Sequence, residues 1–352
     1  MSSSSKKEGV SLFTKTKKLI AALSLAVMGA ISLTGCGNER AVQDEDTKSD
    51  TIVLRYSEIQ VQDYPTTIAA KKFVELVNDG TQGRVVIDIY DNAKIATEDQ
   101  VAEDVKFGRV DLTRVSLSAL SEVTKELEVL QLPYLYRDSE HMWKVLDGDI
   151  DKEFLTKMDK DGIIGLAWND GGSRSFYNSK REIKSLEDMK DLKIRVQESL
   201  LMEDLVKTLG ADPVPMPYGE IPEALKAGKL DGAENSWPSY ESQNHYKYAK
   251  YYTLDEHSRI PEIMIISKRT LDRLSPTDQH VIRMCAIEAA KYERELWAKR
   301  EADSKKKVVD AGTVVTELSE AEKAKFVEAV QPIYQKYAAG QMELVKRIRD
   351  VK

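Results

Sequence analysis

From Thr51 onward the apolar positions keep switching between a period of two and a period near 3.6. "IVLRYSEI" alternates as a strand does, and "TTIAAKKFVELVNDG" spaces its apolar residues for a helix closing on Gly80. "RVVIDIYD" alternates again, "ATEDQVAEDVKFG" returns to helical spacing, and "VDLTRVS" predicts a third strand. This βαβαβ order implies a largely parallel sheet with helices on its faces. "HMWKVLDG" and "IDKEFLTKMDKDG" add helices, and "IIGLAWND" reads as a buried strand.

A second series follows. "SLEDMKD" predicts a short helix and "LKIRVQ" a strand, in which Leu192, Ile194 and Val196 alternate with Lys193, Arg195 and Gln197. "SLLMEDLVKTLG" is a helix ended by Gly210, "ADPVPMPYGEI" a proline-stiffened connection, and "PEALKAGKL" a helix with Pro222 in its first turn. "DGAENSW" reads as a strand edge and loop, and "EIMIISKRTLDRL" starts as an apolar strand. One long helix, about three dozen residues, then opens with Ser275 as N-cap and Pro276 at its first position. The fold class expected is α/β: two α/β domains with a ligand cleft between them and a domain-spanning helix. Residues 51–171 plus about 261–300 make domain I, and 172–260 plus about 301–352 make domain II.

The 50 residues before this pattern are different. Lys6, Lys7, Lys15, Lys17 and Lys18 precede an apolar run from Leu19 to Leu33 that ends in "LTGC". A basic region, a short apolar stretch and small residues before a cut describe a secretory signal, residues 1–35. "LTGC" resembles a bacterial lipoprotein box, with Cys36 the residue to be lipidated. Residues 36–50 are polar and read as a flexible tether, which places the folded part outside the cytoplasmic membrane, held to its outer face by lipid. Cys285 is then the only other cysteine, in a helical pattern, and a packing role is expected for it. The chain carries net charge −7; without residues 1–35, which hold five Lys and one Glu, the balance is −11. That excess argues against a nucleic-acid partner and a polybasic membrane face.

Catalytic chemistry is hard to find. His141, His245, His257 and His280 lack metal-ligand spacing, and no HExxH, nucleophile elbow or phosphate loop is present. Asp147, Asp149 and Asp151 imitate the start of a calcium loop, but Lys152 stands where its glycine belongs and Met158 where its glutamate belongs. No metal, no cofactor and no enzymatic activity are expected.

Recognition residues concentrate in 171–240. "GGSRSFYNSKREIKSLEDMKDLKIRVQ" followed by "LGADPVPMPYGEIPEALKAGKLDGAENSWPSY" resembles the substrate-binding subunit of TRAP transporters, the DctP-type family. The resemblance implies a monomeric extracytoplasmic binding protein that closes on an organic acid and delivers it to an ion-driven membrane permease. The arginine of the "IRV" strand, which pairs with the ligand carboxylate in that family, carries onto Arg195. A planar guanidinium matches a carboxylate through two parallel hydrogen bonds, which a lysine cannot do. The arginine of the glycine-flanked turn carries onto Arg174, the "EN" asparagine onto Asn235 and the aromatic of "PM-F-E" onto Tyr218. Arg174 could equally bind local carbonyls and Asn235 cap a loop. Tyr218 and Trp237 stand either as ligand-covering aromatics or as fillers of the domain junction. The chain departs from the family at Gln197, where proline is frequent, and at Glu198, where sialic-acid binders carry asparagine.

In the first domain Glu58 and Gln60 follow the first strand, at whose carboxyl end a cleft residue lies, and are candidate hydroxyl readers. Glu98 opens the second helix, as a ligand contact or as a charge favourable to the helix dipole. Arg114 and Ser116 end the third strand, Arg114 free to meet a second acidic group or to pair with Glu58 or Glu98. His257 lies beside the expected hinge return, for structure or for ligand. The stretch 234–268 is similar to a subgroup associated with sugar acids, so a hexuronate such as glucuronate or galacturonate is the expected ligand. The alternatives are a C4-dicarboxylate or another sugar acid, a sensory binding protein, and a lipid-anchored glycan enzyme.

Overall fold

The computed structural model describes residues 51–352; the signal, Cys36 and the tether lie outside them. Strand β1 (Ile52–Ser57) buries Leu54 and Tyr56 beneath α1 (Pro65–Gly80), whose Phe73 and Val77 share the same core. β2 (Val85–Tyr90), α2 (Glu98–Phe107), β3 (Leu112–Ser116) and α3 (Leu117–Val123) continue the expected alternation. α4 (Ser139–Leu146) and α5 (Asp149–Leu155) lead into β4 (Ile163–Asn169). The calcium-like segment is the junction of those two helices: Asp147 pairs with Arg294 at 2.8 Å, and Asp151 accepts the Trp168 indole N–H.

The second sheet begins with β5 (Ser173–Asn178), followed by β6 (Lys193–Val196), α6 (Leu200–Thr208), β7 (Asp212–Pro215), α7 (Ile221–Lys226), β8 (Gly232–Asn235), α8 (Trp237–Ser242), β9 (Tyr251–Leu254) and β10 (Ser258–Arg259). The chain then returns to the first sheet as β11 (Glu262–Ser267), and short α9 (Lys268–Leu271) precedes the long α10 (Pro276–Asp310). β12 (Val314–Glu317), α11 (Glu320–Ala329), α12 (Gln331–Tyr337) and α13 (Met342–Asp350) complete the chain.

The strand orders are β2-β1-β3-β11-β4 and β12-β9-β5-β8-β6-β7, with β10 added beside β5. The first sheet is parallel only over its βαβαβ opening, contrary to the expectation that it is largely parallel. β1 runs parallel to β2 and β3, but β11 enters antiparallel between β3 and β4. The reason is connectivity: β11 arrives from the second sheet rather than over a crossover helix. A further difference concerns Arg174, which lies in a strand and not in a turn, because "SRSFYN" pairs with β8 on one side and β9 and β10 on the other.

α10 is capped as its first residues predict, the Ser275 hydroxyl accepting the Asp278 N–H at 3.1 Å. Its first half sets Ile282, Ala286 and Ala289 into the core under the first sheet. Farther on, Val308 joins the Tyr177–Tyr240–Tyr252 core of the second sheet, and Arg300 meets Glu241 of α8 at 2.7 Å. Between these halves the helix passes over the crossing from β4 to β5. Gly172 there has φ +69°, and a Cβ would stand 3.0 Å from the Trp297 ring, so glycine is required. Among the described residues no helix is long and apolar enough to cross a membrane.

Gly232 has the tightest fit in the second sheet. It lies between Asn178 of β5 and Ile194 of β6, and an added Cβ would approach the Tyr177 carbonyl oxygen to 2.1 Å. Gly232→Ala is therefore expected to cost about 1–3 kcal/mol, seen as a lower urea midpoint with an unchanged denaturant slope; an unchanged midpoint would show that the strand yields.

Candidate functional site

β6 is four residues long, and its sequence explains how it is held. Ile194 and Val196 are fully buried on one face, while the opposite face carries Arg195. Arg195 is nevertheless only 3 % exposed, because β7, β8 and the loop before α7 close around it. Its Nε donates to the Met216 carbonyl oxygen at 2.8 Å. No carboxylate of the described residues lies within ion-pairing distance of it. Burial, with Arg174 nearby, holds its pKa below that of an ordinary arginine against the pull of Glu234.

Arg195 faces a cleft of about 320 Å³. Ile59, Asn92, Thr97, Glu98, Asp99 and Ala119 line it from the segments around the first sheet, and Gln197, Glu198, Pro217, Tyr218, Glu220 and Gln243 from those around the second. Four of the expected site residues thus meet in one space: Arg195, Glu98, Glu198 and Tyr218. The Tyr218 hydroxyl donates to the Ser239 carbonyl oxygen at 3.1 Å, which fixes its ring at the wall. Gln197 reaches across to Glu98, Nε2 to Oε2 at 3.4 Å, while its own Oε1 is buried without a partner.

The remaining expected residues are not among those lining the cleft; all but Trp237 belong to two buried charged clusters. In the first, Arg114, 1 % exposed, binds Glu58 through two nitrogens, Glu98 at 3.4 Å and Glu262 at 3.1 Å. Burial opposes the Arg114 charge, but Glu262, Glu58 and Glu98 outweigh it and hold its pKa above the ordinary value. Burial pushes Glu262 up to about 8, with Glu98 and Glu58 adding to the effect against Arg114. Ser116 caps α3 and donates its backbone N–H to Glu98 at 2.9 Å, and the Gln60 backbone N–H donates to Glu58 at 3.0 Å.

The second cluster is built on β5 and β8. Arg174 forks onto Glu234, Nε to Oε2 at 2.5 Å and Nη2 to Oε1 at 2.7 Å, and its Nη1 donates to Asn235 Oδ1 at 3.0 Å. His257 stacks on Phe176 at 4.2 Å between ring centres and sits between two carboxylates, Asp255 at 2.8 Å and Glu234 at 3.4 Å. Burial opposes charge on this histidine, but Asp255 and then Glu234 outweigh it and raise its pKa to about 9. Glu234 is held down at about 2: burial would raise it, and Arg174 and His257 more than compensate. Trp237 stacks on Tyr252 at 3.7 Å, in the core rather than at the cleft.

Glu234 and Glu262, which hold these clusters together, escaped the sequence reading, as did Asp99 at the cleft. Glu234 adjoins Asn235 in the "EN" motif and Asp99 follows Glu98, so adjacency was the available signal for both. Glu262 gave none, since it begins a strand that reads as purely apolar.

These shifts fix how stability depends on pH. His257 binds its proton more tightly folded, at about 9, than unfolded, at 6.5, so its contribution is complete below 6.5 and lost as pH rises through 9. Glu262 acts with the same sign from 4.5 to about 8, being neutral in the native state and ionised in the unfolded chain. Glu234 has the opposite sign, its contribution present above 4.5 and lost as pH falls toward 2. Thermal unfolding should therefore show a midpoint that falls between pH 6.5 and 9, with a shallower fall in His257→Gln. An identical slope in that variant would mean that His257 is not the cation described.

Comparison with known proteins accords with this arrangement. Residues 56–341 match the DctP model, described as bacterial extracellular solute-binding protein, family 7. A solute-binding protein of Chromohalobacter salexigens is 33 % identical over 288 residues, covering 82 % of this chain and 85 % of the relative. The crystal structure of a TRAP periplasmic solute-binding protein from Bradyrhizobium, in complex with α/β-D-galacturonate, has a TM-score of 0.82 and 41 % identity, covering 85 % of this chain and all of that one. Another from Pseudomonas putida F1, with bound D-glucuronate, has a TM-score of 0.83 and 35 % identity, covering 86 % of this chain and 98 % of the other. Fold, cleft and sequence agree, and the chain belongs to the DctP family of TRAP solute-binding proteins.

Proposed function

We propose that this protein captures a hexuronate, galacturonate or glucuronate, by pairing its carboxylate with Arg195, closes around it, and hands it to a membrane permease. The observation that carries this reading is the state of Arg195: a guanidinium taken out of water, at the wall of a cleft, with no anion of the described residues beside it. Arg114 and Arg174 have their charge met by glutamates; Arg195 does not. A ligand carboxylate supplies the missing charge and accepts the two Nη donors. The rest of the lining suits hydroxyls, since Glu98, Glu198 and Gln197 accept hydrogen bonds and Tyr218 offers a ring face. Hexuronates bound to two similar proteins support the same ligand class.

In this reading Arg174, Asn235, Glu58, Gln60, Arg114, Ser116, Trp237 and His257 position the cleft walls from behind. Residues 51–171 with about 261–300, and 172–260 with about 301–352, act as two lobes that swing together over the ligand. Lipid on Cys36 ties the protein to the outer face of the membrane that holds the permease; mass spectrometry of membrane-extracted protein should find acyl chains on an N-terminal Cys36, and an unmodified Cys36 would count against the tether.

The ligand assignment is tested by calorimetry and thermal shift with galacturonate and glucuronate. Binding should raise the unfolding midpoint with ligand concentration. Arg195→Lys, which keeps the charge and loses the fork, should weaken binding by about 30-fold or more, and Arg195→Ala should abolish the shift while the protein remains folded. Unchanged affinity in both variants would remove Arg195 from the site.

A further inference from the structure

The charge around the cleft is lopsided. Against the one cation of the lining, Arg195, stand the carboxylates of Glu98, Asp99, Glu198 and Glu220. Glu98 is engaged by Arg114, by the Ser116 backbone and by Gln197. Asp99 and Glu198 have no such cation among the described residues. Asp99 sits in the first turn of α2, accepting a hydrogen bond from Thr97 Oγ1 at 2.6 Å, and Glu198 follows β6 on the opposite side. The two carboxyl groups come close enough to interact: after burial, Asp99 is the chief cause of the upward shift of Glu198.

We propose that Asp99 and Glu198, which line the same cleft from the segments around the two sheets, are a selectivity gate that admits polyhydroxy monocarboxylates and rejects ligands with a second carboxylate. The gate rests on the reading of Arg195 as the carboxylate anchor. A second, independent feature of the same space points to a hydroxylated ligand: Gln197 lines it, is 7 % exposed, and leaves its Oε1 without a hydrogen-bond donor. The anchor thus takes one negative charge, and the charged groups that share its cleft, Glu98, Asp99, Glu198 and Glu220, are all acceptors. A hydroxyl donates to either carboxylate of the pair and is held. A carboxylate in the same position can donate nothing and meets like charge in a space that holds no second free cation of the described residues.

Gluconate and the aldarate obtained by oxidising its C6 are both open chains and differ in that one charge, whereas a hexuronate closes to a pyranose that its aldarate cannot form. The open-chain pair therefore isolates the gate from ring shape. The effect belongs to discrimination and not to affinity alone, because the same two residues attract one ligand and repel the other.

Calorimetry at neutral pH compares gluconate with glucarate, and galactonate with galactarate, on the whole folded protein, with galacturonate and glucuronate measured alongside. Wild type should bind each monocarboxylate about 100-fold or more tightly than its dicarboxylate. Glu198→Gln and Asp99→Asn should each shrink that ratio at least tenfold, and the double variant further, with unfolding midpoints confirming intact folds. Equal binding of mono- and dicarboxylate by wild type overturns the gate, as does an unchanged ratio in the double variant. Failure of the uronates with retained binding of gluconate removes the hexuronate reading instead, and the gluconate–glucarate ratio then decides the gate.

Discussion

Removing a guanidinium from water without an anion beside it is costly, and the second sheet is arranged around bearing that cost at one position. Arg195 is held by neighbours that leave it nowhere else to go. Ile194 and Val196 pin β6 from the apolar side, the Met216 carbonyl takes Nε, and β7 and β8 close the flanks. Gly232 lets β8 lie close against β5, so that Glu234 reaches Arg174. Because that pair is satisfied within the protein, Glu234 offsets the charge of Arg174 at Arg195, and Arg174 does not compete strongly for a ligand. An unmet charge in a fixed place gives affinity to whatever meets it, since little is left to reorganise when the partner arrives.

The two buried clusters settle the opposite problem. Arg114 is surrounded by three glutamates and His257 by two carboxylates, so each cation is paired. Glu98 belongs to the first cluster and to the cleft at once: it accepts from Arg114 and Ser116 on one side and from Gln197 on the other. It couples the first sheet to the strand that carries Arg195, although its sequence context is that of an ordinary acidic helix start.

What the sequence revealed and what it hid follow one physical line. Elements with clean periodicity were legible: β1 through β4, the alternating β6, and α10 with its Ser275–Pro276 start. β5 was not, because "SRSFYN" is polar in a strand that is buried throughout, and its burial is possible only through partners distant in sequence, Glu234 and Asp255. Strand direction escaped for a similar reason, since β11 has the same apolar pattern whether it runs parallel or antiparallel. At the site, Arg195, Glu98, Glu198 and Tyr218 were found as lining residues, whereas Arg114 and Arg174 could not be distinguished from Arg195 until their glutamates were in view. Local pattern identifies a charged residue; only the fold shows whether its charge is already spent.

The insertion of β11 between β3 and β4 bears on how the molecule is made. Vectorial synthesis delivers β3 and β4 long before Glu262 emerges, and until then they have no strand to join them. The second sheet waits as well, because its edge strand β12 follows α10. Neither sheet is complete on a partial chain, and the contacts that close both span large separations in sequence, the condition for slow folding. Such a topology suits a polypeptide that folds after release rather than piecewise on the ribosome.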